Sequence, residues 1–161
     1  VNGPAQATGT DGVPLPHRAP VRWSSAQPGA LDLLASARDG LTEAAAATDA
    51  NARYAAAHLA ALRTAAAVLA ARAVPDDRPY IRRRPRSAWE LLPKVAPELT
   101  EWAALFASGA AKRAAAEADL PNAATLREAD DLTRDVETFV RLVTRLLGLP
   151  LLTDVSRDQE A

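Results

Sequence analysis

The sequence has no cysteine, which excludes disulfides and thiolate-held metals and leaves the redox compartment open. Histidine occurs only at His17 and His58, too few and too far apart for an imidazole first shell, so neither a metal nor another cofactor is expected. No apolar run approaches the ~20 residues of a membrane span. The first residues lack the basic-then-apolar order of a signal peptide, so the expectation is a cytoplasmic protein without a membrane partner. A strong overall charge is missing too. The 19 basic and 20 acidic side chains leave a formal net charge of −1, which gives no global field toward nucleic acid or membrane. There is no glycine-rich phosphate loop, no nucleophile elbow and no convincing alternation of strand type. Lysine is scarce, at Lys94 and Lys112 only, whereas alanine and arginine abound, the bias of GC-rich coding.

What is present is a chain of 161 residues, enough for one domain with a real core. Residues 1–29 are interrupted by Pro4, Pro14, Pro16, Pro20 and Pro28 and by four glycines, and hold little apolar surface. Such a stretch is expected to be a disordered leader, with Trp23 as its one candidate for folding back onto the domain. The domain itself is expected over 30–149, followed by a flexible tail over 150–161.

Four amphipathic segments fill the domain. The first runs from about Ala30 to Ala47, with Leu31, Leu34 and Leu41 on one face. Thr48, Asp49, Ala50 and Asn51 supply capping groups for the second, about Asn51 to Ala73. There Tyr54, His58, Leu62, Ala65, Leu69 and Arg72 form a stripe, and abundant alanine favours helix and lets a neighbour pack close. Ser87 and Glu90 form a capping-box pattern that opens a third element. Pro93 and Pro97 interrupt it, and its longer part is expected from Pro97 to about Ala118, with Leu99, Trp102 and Phe106 facing inward. Thr125 and Glu128 repeat the box and start the fourth helix. Its apolar stripe holds Leu126, Ala129, Leu132, Val136, Phe139, Val140, Val143, Leu146 and Leu147, and Gly148 and Pro150 stop it. Four such helices without strands imply an all-α, up-and-down four-helix bundle with a broken third helix.

One stretch is of another kind. Pro75 to Arg86 holds three prolines, five arginines and two aspartates, a local charge of +3. It is expected to be an exposed, irregular connection. Arg78, Arg82, Arg83, Arg84 and Arg86, with Tyr80, are the candidates for contact with a polyanion, because guanidinium pairs bidentately with phosphate and tyrosine stacks on an unpaired base. A solvated loop, or one docked on an acidic protein partner, is the alternative. The carboxylates Glu128, Asp130, Asp131 and Asp135 alternate with arginines on a polar helix face, the ordinary surface pattern. His58 lies between Tyr54 and Leu62. Its plain reading is a buried histidine satisfied by one hydrogen bond, to Tyr54 or to an acidic group across the bundle; the functional reading is a proton carrier or nucleotide contact.

The second helix, Tyr54-Ala-Ala-Ala-His58-Leu59-Ala-Ala-Leu62-Arg63, resembles the corresponding helix of HEPN domains. The stretches RPRSAWELLPKVAPELTEWAALFASGAAKRAAAE and EADDLTRDVETFVRLVTRLLG resemble an actinobacterial HEPN subfamily more closely, and the similarity extends from about Ala30 to Gly148. The resemblance implies an up-and-down bundle that often forms homodimers and, in many relatives, binds or acts on RNA or nucleotides; some are metal-independent ribonucleases. Those ribonucleases carry an arginine, four to six other residues and a histidine near the start of the last long helix. Here that helix has Arg127, Arg134, Arg141 and Arg145 but no histidine. Arg53 and His58 fit the spacing in the second helix instead, yet five residues at ~100° each set them about 140° apart around the axis. The expected activity is therefore binding, to RNA or nucleotide or to a protein partner. The alternatives are a ribonuclease that uses His58 with an arginine from elsewhere and a purely structural helical adaptor.

Overall fold

The computed structural model describes residues 28–72 and 87–149. Their elements are α1 (Pro28–Ala46), α2 (Ala50–Arg72), α3 (Ala88–Val95), a 3₁₀ turn (Pro97–Leu99), α4 (Thr100–Ser108), α5 (Ala110–Glu117) and α6 (Leu126–Leu146). No strand occurs among the described residues. The helices form an all-α bundle of four arms, with α3, α4 and α5 together making the third. The arginine-rich stretch from Pro75 to Arg86, Trp23, and the tail from Pro150 onward lie outside the described residues.

α2 is the central arm and packs against α1, α3, α5 and α6. By length and composition it is apolar enough to cross a membrane, because its many alanines raise its hydropathy although they form no long run of large apolar residues. Half of that apolar window is buried inside the bundle. Asp49 caps α2, its Oδ2 accepting from the Ala52 N–H at 2.8 Å. Asn51 does something else. It is buried, its Nδ2 donates to the Leu120 carbonyl at 2.9 Å, and its Oδ1 accepts from the Ala124 N–H at 3.0 Å. One side chain thus satisfies two backbone groups of the α5–α6 connection and ties it to α2.

Along α1 the buried stripe is Ala30, Leu34, Ala37 and Ala44, with Leu41 partly buried. Leu31, expected to face inward, is 46% exposed. Leu34 fills the stripe between small residues, and Leu31 lies on the flank of the helix beside it.

α6 follows its apolar period. The Thr125 hydroxyl accepts from the Glu128 N–H while the Glu128 carboxylate accepts from the Thr125 N–H at 2.8 Å, a complete capping box. The Glu128 carboxyl is held down at about 2, first by its hydrogen bond from Lys112 and then by those from Thr125. Ala129, Val136, Phe139, Val140, Val143 and Leu147 are buried, whereas Leu126 is 52% exposed at the helix entrance. Gly148 takes φ +66°, the left-handed residue that ends the helix.

The third arm breaks elsewhere than expected. Pro93 lies inside α3, where its missing N–H leaves only the first-turn Trp89 carbonyl unserved, and the helix continues to Val95. The break comes at Ala96, with φ −141° and ψ 76°, because the following Pro97 bars it from helical conformation. A second break, at Gly109, divides the expected long helix into α4 and α5. Trp89, Trp102 and Phe106 from this arm meet Phe139 of α6 in one aromatic cluster. The Trp102–Phe139 centroids are 5.4 Å apart and the Phe106–Phe139 centroids 5.1 Å.

Candidate binding site at the break of the third arm

At the break at Gly109 the third arm packs directly against Tyr54 and His58 of α2. A Cβ at Gly109 would stand 2.8 Å from the Tyr54 hydroxyl and 3.3 Å from His58 Cδ2. Only glycine leaves room for both side chains. The interruption also frees the Phe106 carbonyl from a continuous helical ladder. It accepts from the Gly109 N–H at 3.1 Å and from His58 Nε2 at 2.9 Å. A carbonyl cannot donate, so the neutral His58 ring carries its proton on Nε2 and leaves Nδ1 as an acceptor. The expected single hydrogen bond is therefore present, but to a backbone carbonyl and not to Tyr54 or an acid.

His58 is 1% exposed, and its Nδ1 has no hydrogen-bond partner. Aromatic rings surround it: Tyr54 is stacked at 6.4 Å, and Trp89 and Phe106 meet it edge-on at 5.9 and 6.4 Å. Burial lowers its pKa below the ordinary histidine value. The Phe106 hydrogen bond opposes that shift, the Arg113 charge adds to it, and Glu117 works against it. Burial likewise raises the Tyr54 phenol.

A cavity of about 400 Å³ opens beside this histidine. His58, Leu62, Trp89 and Ala110 contribute to its walls, and Ser87 and Arg113 add polar groups. Arg113 is joined to Glu117 at 2.7 Å, and both line the same cavity, so its charged lining is neutral as a pair. Such a cavity, mostly apolar with a few fixed polar groups, has the composition of a small-ligand site.

The remaining sequence candidates lie apart from it. Arg53 donates from Nη2 and Nε to the Ala47 carbonyl at 2.6 and 3.0 Å and pairs with Asp130 of α6. Its guanidinium thus binds the end of α1 to α6, away from His58. Arg127 and Arg134 lie on Asp131. No group of histidines and carboxylates that could hold a metal occurs among the described residues. Arg78, Tyr80, Arg82, Arg83, Arg84 and Arg86 are outside the described residues, although Arg86 directly precedes Ser87 of the cavity wall in the chain. Sequence reasoning missed Gly109, Arg113 and the Phe106 carbonyl. Gly109 was the one visible signal, a lone glycine between alanine-rich helical stretches.

A family model described as SAV_6107-like HEPN matches residues 44–144. The chain belongs to the HEPN family. The match runs from the last turn of α1 to the last turn of α6, so it takes in the His58 cavity and the arginine-rich stretch alike. No curated protein and no solved structure gave a match.

Proposed function

We propose that this HEPN chain binds RNA or nucleotide and does not cleave it. The observation that carries this reading is the state of His58. A histidine that moves protons for an attacking ribose hydroxyl must reach the substrate and change charge near neutral pH. His58 is 1% exposed, spends its N–H on the Phe106 carbonyl and is held neutral by burial. The last helix, where ribonucleases resembling this family carry their histidine, has none. What the chain offers instead is charge: five arginines between Arg78 and Arg86, beside a tyrosine able to stack on a base.

Binding through several arginines releases counterions, so affinity falls steeply with salt. Replacing Arg82, Arg83, Arg84 and Arg86 with alanine is expected to weaken binding of single-stranded RNA and to flatten its salt dependence, with helicity unchanged. An unchanged salt slope in that variant places the contacts elsewhere. Absence of binding by the parent at low salt removes the reading and leaves a protein partner as the ligand of the arginines.

One observation favours the ribonuclease reading. Arg113, from another helix, lines the same cavity as His58. Its ion pair with Glu117 weakens that case, because phosphate must displace a carboxylate to reach it.

A further inference from the structure

We infer that Arg38, Arg141 and Arg145 form a phosphate-binding surface where α1 meets the C-terminal half of α6, and that it holds the sugar–phosphate backbone of RNA. The inference rests on the RNA-binding reading and adds to it a contact surface on the bundle itself. The polar face of α6 divides by charge. No acid follows Glu137 in this helix, whereas Arg141 and Arg145 do. The earlier charges are largely matched: Lys112 takes Glu128, Arg53 takes Asp130, and Arg127 and Arg134 lie on Asp131. Among the described residues, no carboxylate is within ion-pair distance of Arg38, Arg141 or Arg145. Neutral hydroxyls hold two of these side chains instead. Arg141 Nη2 donates to Thr138 Oγ1 at 3.1 Å, and Arg38 Nη2 reaches from α1 to Thr144 Oγ1, also at 3.1 Å. Each hydroxyl spends its own proton on a backbone carbonyl of α6, that of Arg134 or of Val140. The threonines therefore orient the guanidiniums without cancelling their charge.

The helix dipole favours a cation in the last turn, which accounts for Arg145 alone. Arg141 and Arg145, four residues apart and both exposed, repel each other. A phosphate relieves that repulsion and pairs bidentately with guanidinium. The two arginines are displaced by about 6 Å along the axis, a spacing that suits successive phosphates of one strand. α2 and α6 run side by side from the Arg53–Asp130 pair, so Arg141 and Arg145 stand at the end of the bundle where α2 gives way to the arginine-rich stretch. Contacts of this kind position a strand without reading its bases.

The test is binding of single-stranded oligouridine and oligoadenine by the full-length protein across a range of salt concentrations. The parent is compared with Arg141→Gln plus Arg145→Gln, at exposed positions where the fold needs neither side chain. The control is Arg127→Gln plus Arg134→Gln, whose guanidiniums already lie on Asp131. The Arg141 and Arg145 variant is expected to bind both RNAs about ten-fold more weakly, with the logarithmic salt slope lowered by about 0.7 for each lost phosphate contact. Adding Arg38→Gln lowers the slope once more, and the control changes neither quantity. Parental affinity and slope in the Arg141 and Arg145 variant overturn the inference. So does an equal loss in the control, which would mark a general charge effect, or a loss confined to one of the two RNAs. If only the variant of Arg82, Arg83, Arg84 and Arg86 loses binding, the α6 surface fails and the binding reading stands. If that variant binds like the parent while the α6 variant does not, the surface stands and the contacts of the arginine-rich stretch fail. No binding by the parent at low salt removes both.

Discussion

α6 and the broken third arm both supply the aromatic centre of the bundle, yet they are held by different means. α6 is a continuous helix with a complete capping box, a regular apolar stripe and a glycine stop. It would be helical against almost any apolar partner. The third arm is three short segments, interrupted at Ala96 and Gly109, none long enough to persist alone. Its breaks are set by the contacts it makes, and the second break is what exposes a backbone carbonyl to His58. The regular arm gives stability; the irregular one gives the cavity.

This contrast yields graded expectations. The largest effect belongs to α6. Phe139 is fully buried against Trp102 and Phe106, so Phe139→Ala is expected to cost about 3–5 kcal/mol in urea unfolding. Next comes the break. Gly109→Ala forces a methyl against the Tyr54 hydroxyl and His58, and is expected to cost about 1–3 kcal/mol. Adding Tyr54→Phe removes the nearer atom and should recover part of the loss; a double variant no better than the single would mean the clash lies with His58. Thr125→Ala, which removes half the capping box, is expected to cost about 1 kcal/mol.

The buried histidine adds a pH dependence. Its folded pKa lies below its unfolded one, so well above the ordinary histidine range it is uncharged in both states and contributes no slope. As pH falls through the ordinary histidine range, the unfolded chain takes up the proton first, and stability is lost down to the lower folded pKa. Arg113 reinforces this direction, Glu117 opposes it, and Lys112 and Glu128 stand near the adjoining Tyr54. Stability measured between pH 7 and 5 should fall more steeply for the parent than for His58→Gln.

The same contrast separates what the sequence reveals from what it hides. α6 could be read almost to the residue, because a box at Thr125 and Glu128 and a stop at Gly148 are local chemistry. The break at Ala96 was legible in kind, since Pro97 was marked as an interruption, but Pro93 was wrongly given the same power. Gly109 was visible as a lone glycine, but its role was not legible. Nothing in its alanine-rich neighbourhood distinguishes a tolerated helical glycine from one required by side chains of a distant helix. Leu31 and Leu126 are exposed although the apolar period includes them: Leu31 lies beside the buried stripe of Ala30, Leu34 and Ala37, and Leu126 is the first residue of α6. The cavity depends on the packing of α2 against the third arm, so His58 was visible as a candidate and its partner was not.

The most direct test of binding without cleavage uses end-labelled single-stranded RNA incubated with excess protein in chelator, with retention and strand length followed in the same samples. The account predicts salt-sensitive retention of full-length RNA over hours, unchanged in strand length for the parent and for His58→Gln alike. Cleavage by the parent that is lost in the folded His58→Gln variant would contradict it and make His58 a catalytic group.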